Sequence, residues 1–294
     1  MHLHTTQPSL FKLANHPLLN DLFCMKLTFT KMNGAGNDFV VIDNLDLSTT
    51  LSTEQIAQLC DRHRGVGADG LLAVEPAEAG ADVKFRYYNA DGGEAEMCGN
   101  GARCFGRYTS RILGGEKKEL TFETIAGTLR AKLVGDEVCI EMSEPFGLEI
   151  DPSVEIEGLG AKVHYLNTGV PHAITFVDDV ENTDIVKHGA AIRYHEHTQP
   201  AGTNANFAQV LAPDHLLVRT YERGVEGETL ACGTGITACA LVHHLLTGAP
   251  SPIKITVRGG DDLVIGFEPQ ENQGFLNVTM TGPADFVFEG EIEI

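Results

Sequence analysis

Hydrophobic and polar residues alternate in short runs along most of the chain, and glycine, aspartate and asparagine separate the runs. Such alternation places successive side chains on opposite faces and is typical of half-buried β-strands. The first half therefore predicts strands at residues 27–31, 39–43, 71–75, 83–89, 120–124, 128–133 and 138–142. The second half predicts strands at 163–166, 173–177, 205–211, 216–221, 253–258, 263–267 and 275–280.

Helical patterns are few. Residues 54–64 predict a helix, because Ser52 and Gln55 have the spacing of a capping box and Gly65 stands where a C-cap is expected. Two more helices are predicted at 102–108 and 236–242. Many strands around few helices, without strict strand–helix alternation, favour an α+β fold.

The chain repeats one short phrase, Cys98-Gly99-Asn100-Gly101, as Cys232-Gly233-Thr234-Gly235. Each copy follows a predicted strand and opens a predicted helix. A second internal similarity relates residues 33–38 to residues 167–172, and each segment precedes a predicted strand. The cysteines stand 134 positions apart, which predicts a duplicated unit with its half boundary near 143–145. Pseudo-twofold symmetry would place the equivalent loops face to face.

Composition narrows the classes of function. Hydrophobic residues make up 43% and charged residues 21% of 294, as in soluble globular proteins. A net charge of −20 repels nucleic-acid phosphates and anionic membranes, so neither is an expected partner. No apolar run reaches the roughly 20 residues that a membrane helix needs. Residues 1–24 lack the features of a signal peptide and are expected to be a disordered extension or the product of a start codon assigned too early.

The cysteines indicate a reducing compartment and a reactive pair. Seven is an odd number, and neither a Cys-x-x-Cys pair nor the spacing of a structural zinc site occurs, so reduced thiols in the cytoplasm are expected. Cys98 and Cys232 each stand at a predicted helix N-terminus, where the dipole and unpaired N–H groups favour a thiolate. Most free cysteines are simply buried apolar residues. The repeated context favours an acid/base pair instead.

The remaining cysteines have no such context. Cys104 and Cys239 lie further along the two helices among apolar residues and are expected to pack in the core. Cys24, Cys60 and Cys139 are expected to be inert.

Polar residues near the second Cys loop suggest ligand contacts. Glu222 and Arg223 end a strand, where Asn89 holds the matching place in the first half. Arginine suits a carboxylate and glutamate suits an ammonium group, although such a pair is often a solvated surface pair. His172 could tune a thiol or be an ordinary turn residue. Residues 194–197 are expected to form a solvated loop, and no metal site is predicted.

Three groups of residues together resemble the diaminopimelate epimerase family. They are 31–39 (KMNGAGNDF), 89–92 (NADG) with 98–104 (CGNGARC), and 221–224 (YERG) with 231–235 (ACGTG). The likeness extends from about Met25 to the C-terminus, in the family's order.

This resemblance implies an enzyme that needs no cofactor and interconverts LL- and meso-diaminopimelate, a small-molecule substrate, in lysine and peptidoglycan-precursor synthesis. It implies two pseudo-symmetric lobes, each a curved mixed sheet around a central helix. The lobes would span 25–143 and 144–280, with 281–294 returning to the first. A homodimer is compatible with the resemblance.

The resemblance also implies roles for single residues. Cys98 and Cys232 would be the acid/base thiols, with Cys232 the base in the usual direction, and His172 and Glu222 would modulate them. The implied substrate contacts are Asn37, Asn89, Gly99, Asn100, Asn204, Glu222, Arg223, Gly233 and Thr234. Val170 and Gly70 depart from asparagine and glutamine in other members, which leaves the preference for diaminopimelate open.

Two other functions remain open from the sequence. A proline-racemase-like enzyme would share the fold and the paired thiols. A thiol switch would instead join Cys98 and Cys232 in a reversible disulfide.

Overall fold

The structure is a computed structural model and describes residues 25–294. Within that range, the first half contains β1 Lys26–Gly34, β2 Asn37–Asp43, α1 Thr53–Cys60, β3 Gly70–Glu75, β4 Val83–Asn89, β5 Glu94–Ala95, α2 Gly99–Ile112, β6 Glu119–Thr124, β7 Gly127–Val134 and β8 Glu137–Glu141. The second half contains β9 Phe146–Glu149, β10 Val163–Asn167, β11 Pro171–Phe176, α3 Ile185–Arg193, β12 Asn204–Ala212, β13 His215–Glu222, β14 Gly227–Thr229, α4 Gly233–Thr247, β15 Ile253–Val257, β16 Asp262–Pro269, β17 Phe275–Pro283 and β18 Asp285–Glu293.

The elements from β1 to β8 recur in the same order from β10 to β17. Strands β2 and β3 are parallel, as are β11 and β12, and a helix connects each pair. The parallel pair β4–β6 likewise corresponds to β13–β15. We call β1–β8 with α1 and α2 the first lobe, and β10–β17 with α3 and α4 the second lobe. The predicted α+β class with two pseudo-symmetric lobes is confirmed.

One continuous sheet connects the lobes. Strand β8 pairs with β17 of the second lobe, from Glu137 opposite Pro283 to Glu141 opposite Thr279. Strand β18 then returns to the first lobe and pairs with β1, with Glu293 opposite Lys26. The lobes therefore meet along paired backbone, which fixes the position of β17 relative to both.

Each lobe encloses one long helix. In the first lobe Phe105 of α2 packs against Phe85 and Phe122, with ring centroids 4.8 and 5.1 Å apart. In the second lobe, residues 235–243 of α4 are all buried. A helix that is apolar on every side belongs inside a core, so the sheet must wrap around it.

Cys104 and Cys239, which lie outside the Cys-Gly turns, pack in the core as expected and are fully buried. Burial raises the pKa of Cys104 to about 12 and that of Cys60 to about 11, so both remain thiols. Cys139 is half-buried on β8. Cys24 and the expected extension 1–24 lie outside the described residues.

The first helix is shorter than the predicted 54–64. Its capping box is present, with Ser52 accepting from the Gln55 amide. The helix ends at Cys60 because Asp61 adopts an extended conformation, with ψ of 119°. Gly65 is therefore not the C-cap. A Cβ there would lie 2.0 Å from the carbonyl oxygen of Gln58, so glycine is required by close approach of the backbone.

Several elements were not predicted. Helix α3 has Asp184 as its N-cap residue, whose carboxylate accepts from the Lys187 amide at 3.1 Å. It occupies the place of α1 in the second lobe. Strands β5, β9 and β14 were also missed, because they are short. Strand β18 lies within the C-terminal segment 281–294, for which the family resemblance implied a strand. Within residues 25–294 no helix is both long and apolar enough to cross a membrane.

Truncation of the aromatic core should weaken the first lobe. Phe105→Ala removes a fully buried ring and is expected to lower the free energy of unfolding by about 3–5 kcal/mol. Urea denaturation followed by circular dichroism measures the loss. Leu113→Ala, at the partly exposed end of the same helix, is the control and should cost less than about 1 kcal/mol. Equal losses in the two variants would contradict this description of the core.

Candidate active site

The two Cys-Gly turns converge on one side chain. Cys98 and Cys232 are the N-cap residues of α2 and α4 and have similar extended conformations. A Cβ on Gly99 and a Cβ on Gly233 would each lie 2.9 Å from the same atom, Cε of Met280 on β17. The Cβ positions of Gly99 and Gly233 are therefore separated by no more than twice that distance. Only glycine allows both helix N-termini to approach this closely.

A cavity of about 340 Å³ opens between the two turns. Both cysteines line it, together with eight of the residues predicted to contact substrate. These eight are Asn37, Asn89, Gly99, Asn100, Asn204, Glu222, Gly233 and Thr234. The two helix N-termini therefore face one shared space.

Two of the predicted residues, His172 and Arg223, do not line the cavity. The Arg223 guanidinium donates to the carbonyl of Ala201 at 3.1 Å, while its backbone amide donates to Asn204 Oδ1 at 2.8 Å. Arg223 thus orients the Asn204 side chain at the cavity wall through its main chain.

Other lining residues were missed from the sequence: Tyr87, Ala95, Glu96, Met97, Ala126, Ser143, Gly169 and Ala231. Val170, noted as a departure, also lines the cavity. A sequence signal existed for Tyr87, which stands two positions before Asn89 and so faces the same side of β4. The Tyr87 hydroxyl donates to Asn89 Oδ1 at 2.8 Å.

Tyr87 also explains the glycine at position 70. A Cβ on Gly70 would lie 2.8 Å from the Tyr87 ring and 2.5 Å from the carbonyl oxygen of Tyr88. The ring thus occupies space that a side chain at position 70 would need. The phenol and Asn89 form this part of the cavity wall.

A directed chain of hydrogen bonds fixes two asparagines in the first lobe. Arg103 donates to Asn100 Oδ1 at 2.9 Å, Asn100 Nδ2 donates to Asn37 Oδ1 at 2.6 Å, and Asn37 Nδ2 donates to Asp69 at 3.0 Å. Since each amide oxygen accepts in this chain, both amide orientations are assigned. Each NH₂ group has a second N–H that can donate to a ligand.

Charged residues anchor the Asp69 end of this chain. Arg62 donates to both oxygens of Asp38 and to Asp69, at 2.7–2.9 Å. Burial opposes ionisation of Asp38, but Arg62 and Lys31 outweigh it and hold its pKa at about 2. Asp38 is therefore a carboxylate at physiological pH, and the loop that carries Asn37 is held rigidly.

His172 lies behind α4. It is 1% exposed, and a Cβ on Gly235 would lie 3.3 Å from its Cε1. Burial, with a further contribution from the positive charge of Arg223, lowers the pKa of His172 to about 3. The imidazole is therefore neutral at physiological pH and packs against the first turn of α4.

The tautomer of His172 follows from its neighbour. Asn206 Nδ2 donates to the carbonyl of Ala173 at 2.9 Å and to His172 Nδ1 at 3.2 Å. Nδ1 is thus an acceptor, and the proton lies on Nε2. That buried Nε2 has no hydrogen-bond partner among the described residues.

Burial acts against ionisation of both thiols. It raises the pKa of Cys98, and the backbone N–H groups of Gly101 and Asn100 oppose that rise. Burial, followed by the charge of Glu222, raises the pKa of Cys232 to about 12. The backbone N–H of Gly235 acts in the opposite direction but is outweighed. The sequence led us to expect helix N-termini to lower both values. Enclosure outweighs them, and the charge of Glu222 adds to the rise of the pKa at both thiols.

The histidine-rich segment 194–197 places His197 beside a single carboxylate. His197 lies in a single 3₁₀ turn, and its Nε2 lies 3.0 Å from Glu149. In the part of the chain described, no three His, Cys, Asp or Glu side chains are arranged to hold a metal ion.

A sequence model of the family named diaminopimelate epimerase matches residues 29–146 and 164–287. The chain belongs to this family.

Curated members of the diaminopimelate epimerase family match nearly end to end. The diaminopimelate epimerase of Nitrosospira multiformis is 42% identical over 285 residues, which cover 92% of this chain and 99% of that protein. The diaminopimelate epimerase of Aquifex aeolicus is 42% identical over 279 residues, covering 90% and 98%.

Solved structures with the same fold are more distant in sequence. A phenazine biosynthesis protein of the PhzF family from Bacillus anthracis superposes with a TM-score of 0.69 at 16% identity, covering 92% of this chain and all of that one. A hydroxyproline epimerase from Agrobacterium vitis gives 0.66 at 17% identity, covering 92% and 93%. The chain therefore shares its overall fold with these two structures.

The buried His172 should make stability depend on pH. Below about pH 6.5 the unfolded chain binds a proton at this imidazole, whereas the folded chain does not until about pH 3. The unfolding free energy should therefore fall as the pH is lowered from 6.5, by up to about 1.4 kcal/mol per pH unit.

Urea denaturation of the wild type and His172→Gln at pH 6.5 and 4.5 measures this term. The variant should lose less stability over that interval than the wild type. His63→Gln, at an exposed position, is the control and should follow the wild type. A wild-type slope retained in His172→Gln would show that His172 is protonated in the folded state.

Proposed function

We propose that this protein is an isomerase that interconverts LL-2,6-diaminopimelate and meso-diaminopimelate without pyridoxal phosphate, in the synthesis of lysine and peptidoglycan precursors. The observation that carries the proposal is the convergence of the Cys98 and Cys232 turns on one cavity. Family membership supplies the substrate. The cavity supplies two groups able to exchange protons on opposite sides of a bound molecule.

Epimerisation by this pair requires one thiolate and one thiol. The thiolate removes the α-proton, and the electron pair of the C–H bond moves toward the adjoining carboxylate. The thiol of the other cysteine then donates its proton to the opposite face of the same carbon. The reaction inverts that carbon and leaves the two cysteines with exchanged protonation states, so charge and protons balance.

The helix N-termini would stabilise the charge that forms. Deprotonation turns the carboxylate into an enediolate-like group, and backbone N–H groups aimed at it act as an oxyanion hole. Gly99, Asn100, Gly233 and Thr234 belong to these first turns and line the cavity. The absence of Cβ atoms at Gly99 and Gly233 lets the carboxylate approach the backbone.

The polar wall would recognise the rest of the substrate. Asn37, Asn89 and Asn204 offer amide groups, and Glu222 offers a carboxylate for an ammonium group. Burial raises the pKa of Glu222, and an ammonium group beside it would favour the ionised form. We retain Arg223 as a substrate contact, because its side chain is half-exposed and bonded only to a neutral carbonyl.

We further propose that His172 and Glu222 modulate the thiols by different means. Glu222 acts by its charge, whereas the neutral His172 supports the first turn of α4.

The proposed lobes are residues 25–143 and 144–280, with 281–294 returning to the first. We also propose a cytoplasmic location, where thiols stay reduced, and a homodimer, which sedimentation velocity tests.

A proline-racemase-like activity remains the second candidate, since a hydroxyproline epimerase shares the fold. The polar wall of asparagines and Glu222 favours a substrate with two polar heads, which proline lacks. Turnover of diaminopimelate compared with proline, hydroxyproline and glutamate discriminates between the two. A thiol switch instead predicts no exchange of the α-proton with solvent.

Loss of either thiol should abolish epimerisation. In heavy water, the wild type should place deuterium on the α-carbon of LL- or meso-diaminopimelate and convert each to the other, as measured by mass spectrometry and chiral chromatography. Cys98→Ala and Cys232→Ala should each reduce conversion at least about 10³-fold, because a two-base inversion lacks one base. Cys139→Ala is the control and should retain activity. Near-normal conversion by either active-site variant would refute the two-thiol mechanism.

The Tyr87 hydroxyl should contribute to substrate binding more than to chemistry. Tyr87→Phe removes the donor that orients Asn89, so KM for diaminopimelate should rise about 2–10-fold, as for one lost hydrogen bond, with kcat little changed. Tyr88→Phe is the matched control on the opposite face of the same strand and should leave KM unchanged. A fall in kcat at constant KM would place Tyr87 in the chemical step instead.

A further inference from the structure

Arg62 lies outside the cavity and bridges two carboxylates. Its Nη2 donates to Asp38 Oδ1 at 2.7 Å and to Asp69 Oδ1 at 2.8 Å, and its Nη1 donates to Asp38 Oδ2 at 2.9 Å. The Arg62 side chain is 54% exposed. A single ion pair of an exposed arginine contributes little to stability. A guanidinium that bonds two carboxylates at once also fixes their geometry.

The two carboxylates also bond to each other's backbone. The Asp69 amide donates to Asp38 Oδ1 at 3.1 Å, and the Asp38 amide donates to Asp69 Oδ2 at 3.3 Å. Like charges held this close repel each other unless cations compensate them. Lys31 forms an ion pair with Asp38 at 2.7 Å. Among the ion pairs of residues 25–294, Asp69 has only the one with Arg62.

Asp69 connects Arg62 to the cavity wall. Asp69 Oδ2, the oxygen that Arg62 does not bind, accepts from Asn37 Nδ2 at 3.0 Å, and Asn37 Oδ1 accepts from Asn100 Nδ2 at 2.6 Å. Asn37 lines the cavity, whereas Asp69 and Arg62 do not. The Asn37 amide is therefore held between one acceptor and one donor, and Arg62 fixes the acceptor.

The loop that carries Arg62 holds its side chain in place. A Cβ on Gly67 would lie 2.9 Å from Cα and 3.2 Å from Cγ of Arg62, so the backbone passes directly against this side chain. Gly67 has a φ of +77°, which favours glycine, and its carbonyl accepts from the buried Lys31 ammonium. The guanidinium therefore extends from a fixed stem, although more than half of the side chain is exposed.

The second lobe provides an internal comparison. Strands β2 and β3 run parallel, as do β11 and β12, so the starts of β11 and β12 are the equivalent place. There Asn204 Nδ2 donates to the carbonyl of Pro171 at 3.2 Å, and no ion pair within residues 167–206 joins the two strand starts. Holding two parallel strands together therefore does not by itself account for Arg62.

We propose that Arg62 is a positioning residue for substrate binding: through Asp69 it fixes the Asn37 amide so that the second N–H is available to the substrate. This inference rests on the proposed function, in which Asn37 contacts the substrate. An amide that is already oriented in the free enzyme loses less conformational freedom when the substrate binds. Arg62 then lowers KM without touching the substrate or the reacting atoms.

Steady-state kinetics of diaminopimelate epimerisation tests this role. Arg62→Met should raise KM about 2–10-fold, as for one lost hydrogen bond. The value of kcat should stay within about twofold of the wild type, because the thiols and the helix N-termini are unchanged. A purely structural role would instead lower kcat through loss of folded enzyme and leave KM unchanged, and that result would overturn the proposal.

Arg64→Met is the matched control. Arg64 is exposed two positions later in the same loop and takes part in none of the ion pairs of the described residues. This variant should leave both kinetic constants unchanged. A rise in KM equal to that of Arg62→Met would contradict a specific role for Arg62.

A second variant separates the route through Asp69 from a general effect on the loop. Asp69→Ala removes the acceptor of Asn37 and should raise KM by a similar factor. Arg62→Met added to Asp69→Ala should then raise KM no further, because both changes break the same connection. Effects that multiply in the double variant would show that Arg62 acts by another route. If Arg62→Met does not fold, Arg62→Lys replaces it, since one ammonium cannot bridge both carboxylates as the planar guanidinium does.

A crystal structure of the Arg62 variant without substrate tests the position of Asn37 independently of activity. The distance from Asn37 Nδ2 to Asp69 Oδ2, 3.0 Å in the wild type, should exceed about 3.5 Å, or the amide should occupy more than one orientation. An unchanged hydrogen bond would overturn the proposal. Failure of the proposed function is a separate result, seen as absence of deuterium exchange by the wild type with diaminopimelate, whatever the position of Asn37.

Discussion

The structure depends on the close approach of two helix N-termini across one strand. Strand β17 belongs to the second lobe but pairs with β8 of the first, and it carries Met280 into the gap between the turns. A Cβ at Gly99 or at Gly233 would lie only 2.9 Å from its terminal methyl group. This close approach leaves no room for a β-carbon at either position, so the glycines, the pairing of β17 and the position of the cysteines form a single constraint.

On this symmetric framework the chain places unlike charges. The first lobe contributes a fixed chain of donors that begins at the buried Arg103 and ends at Asp69. The second lobe contributes Glu222 and a neutral, buried His172. The two thiols are chemically identical, but these residues give them different surroundings. The duplication gives the two thiols equivalent positions, and the residues that differ between the lobes surround them with different polar and charged groups.

The sequence predicted the architecture well, because alternation and internal repetition report directly on strands and duplication. It missed α3, although α1 lies about 130 positions earlier and Asp184 is a good N-cap, so the repeat itself could have located this helix. Alternation alone did not locate β18, which is largely exposed; the family resemblance implied that strand instead. It placed the end of α1 too late, since the helix ends through the conformation of Asp61 and not at a glycine.

The site was predicted in part, for physical reasons that differ between residues. The Cys-Gly turns were found because backbone geometry restricts those positions to glycine. The neutral state of His172 depends on burial and on the nearby charge of Arg223, which arise only from tertiary packing. The expected lowering of both thiol pKa values considered the helix termini alone. The structure shows that desolvation is the larger effect for each.

The account requires both sulfur atoms to flank one carbon atom. A crystal structure of the protein with bound diaminopimelate measures this most directly. We predict the Sγ atoms of Cys98 and Cys232 on opposite faces of the same α-carbon, each about 3–4 Å from it. A bound substrate with either sulfur more than about 6 Å from that carbon, or with both sulfurs on one face, would contradict the account.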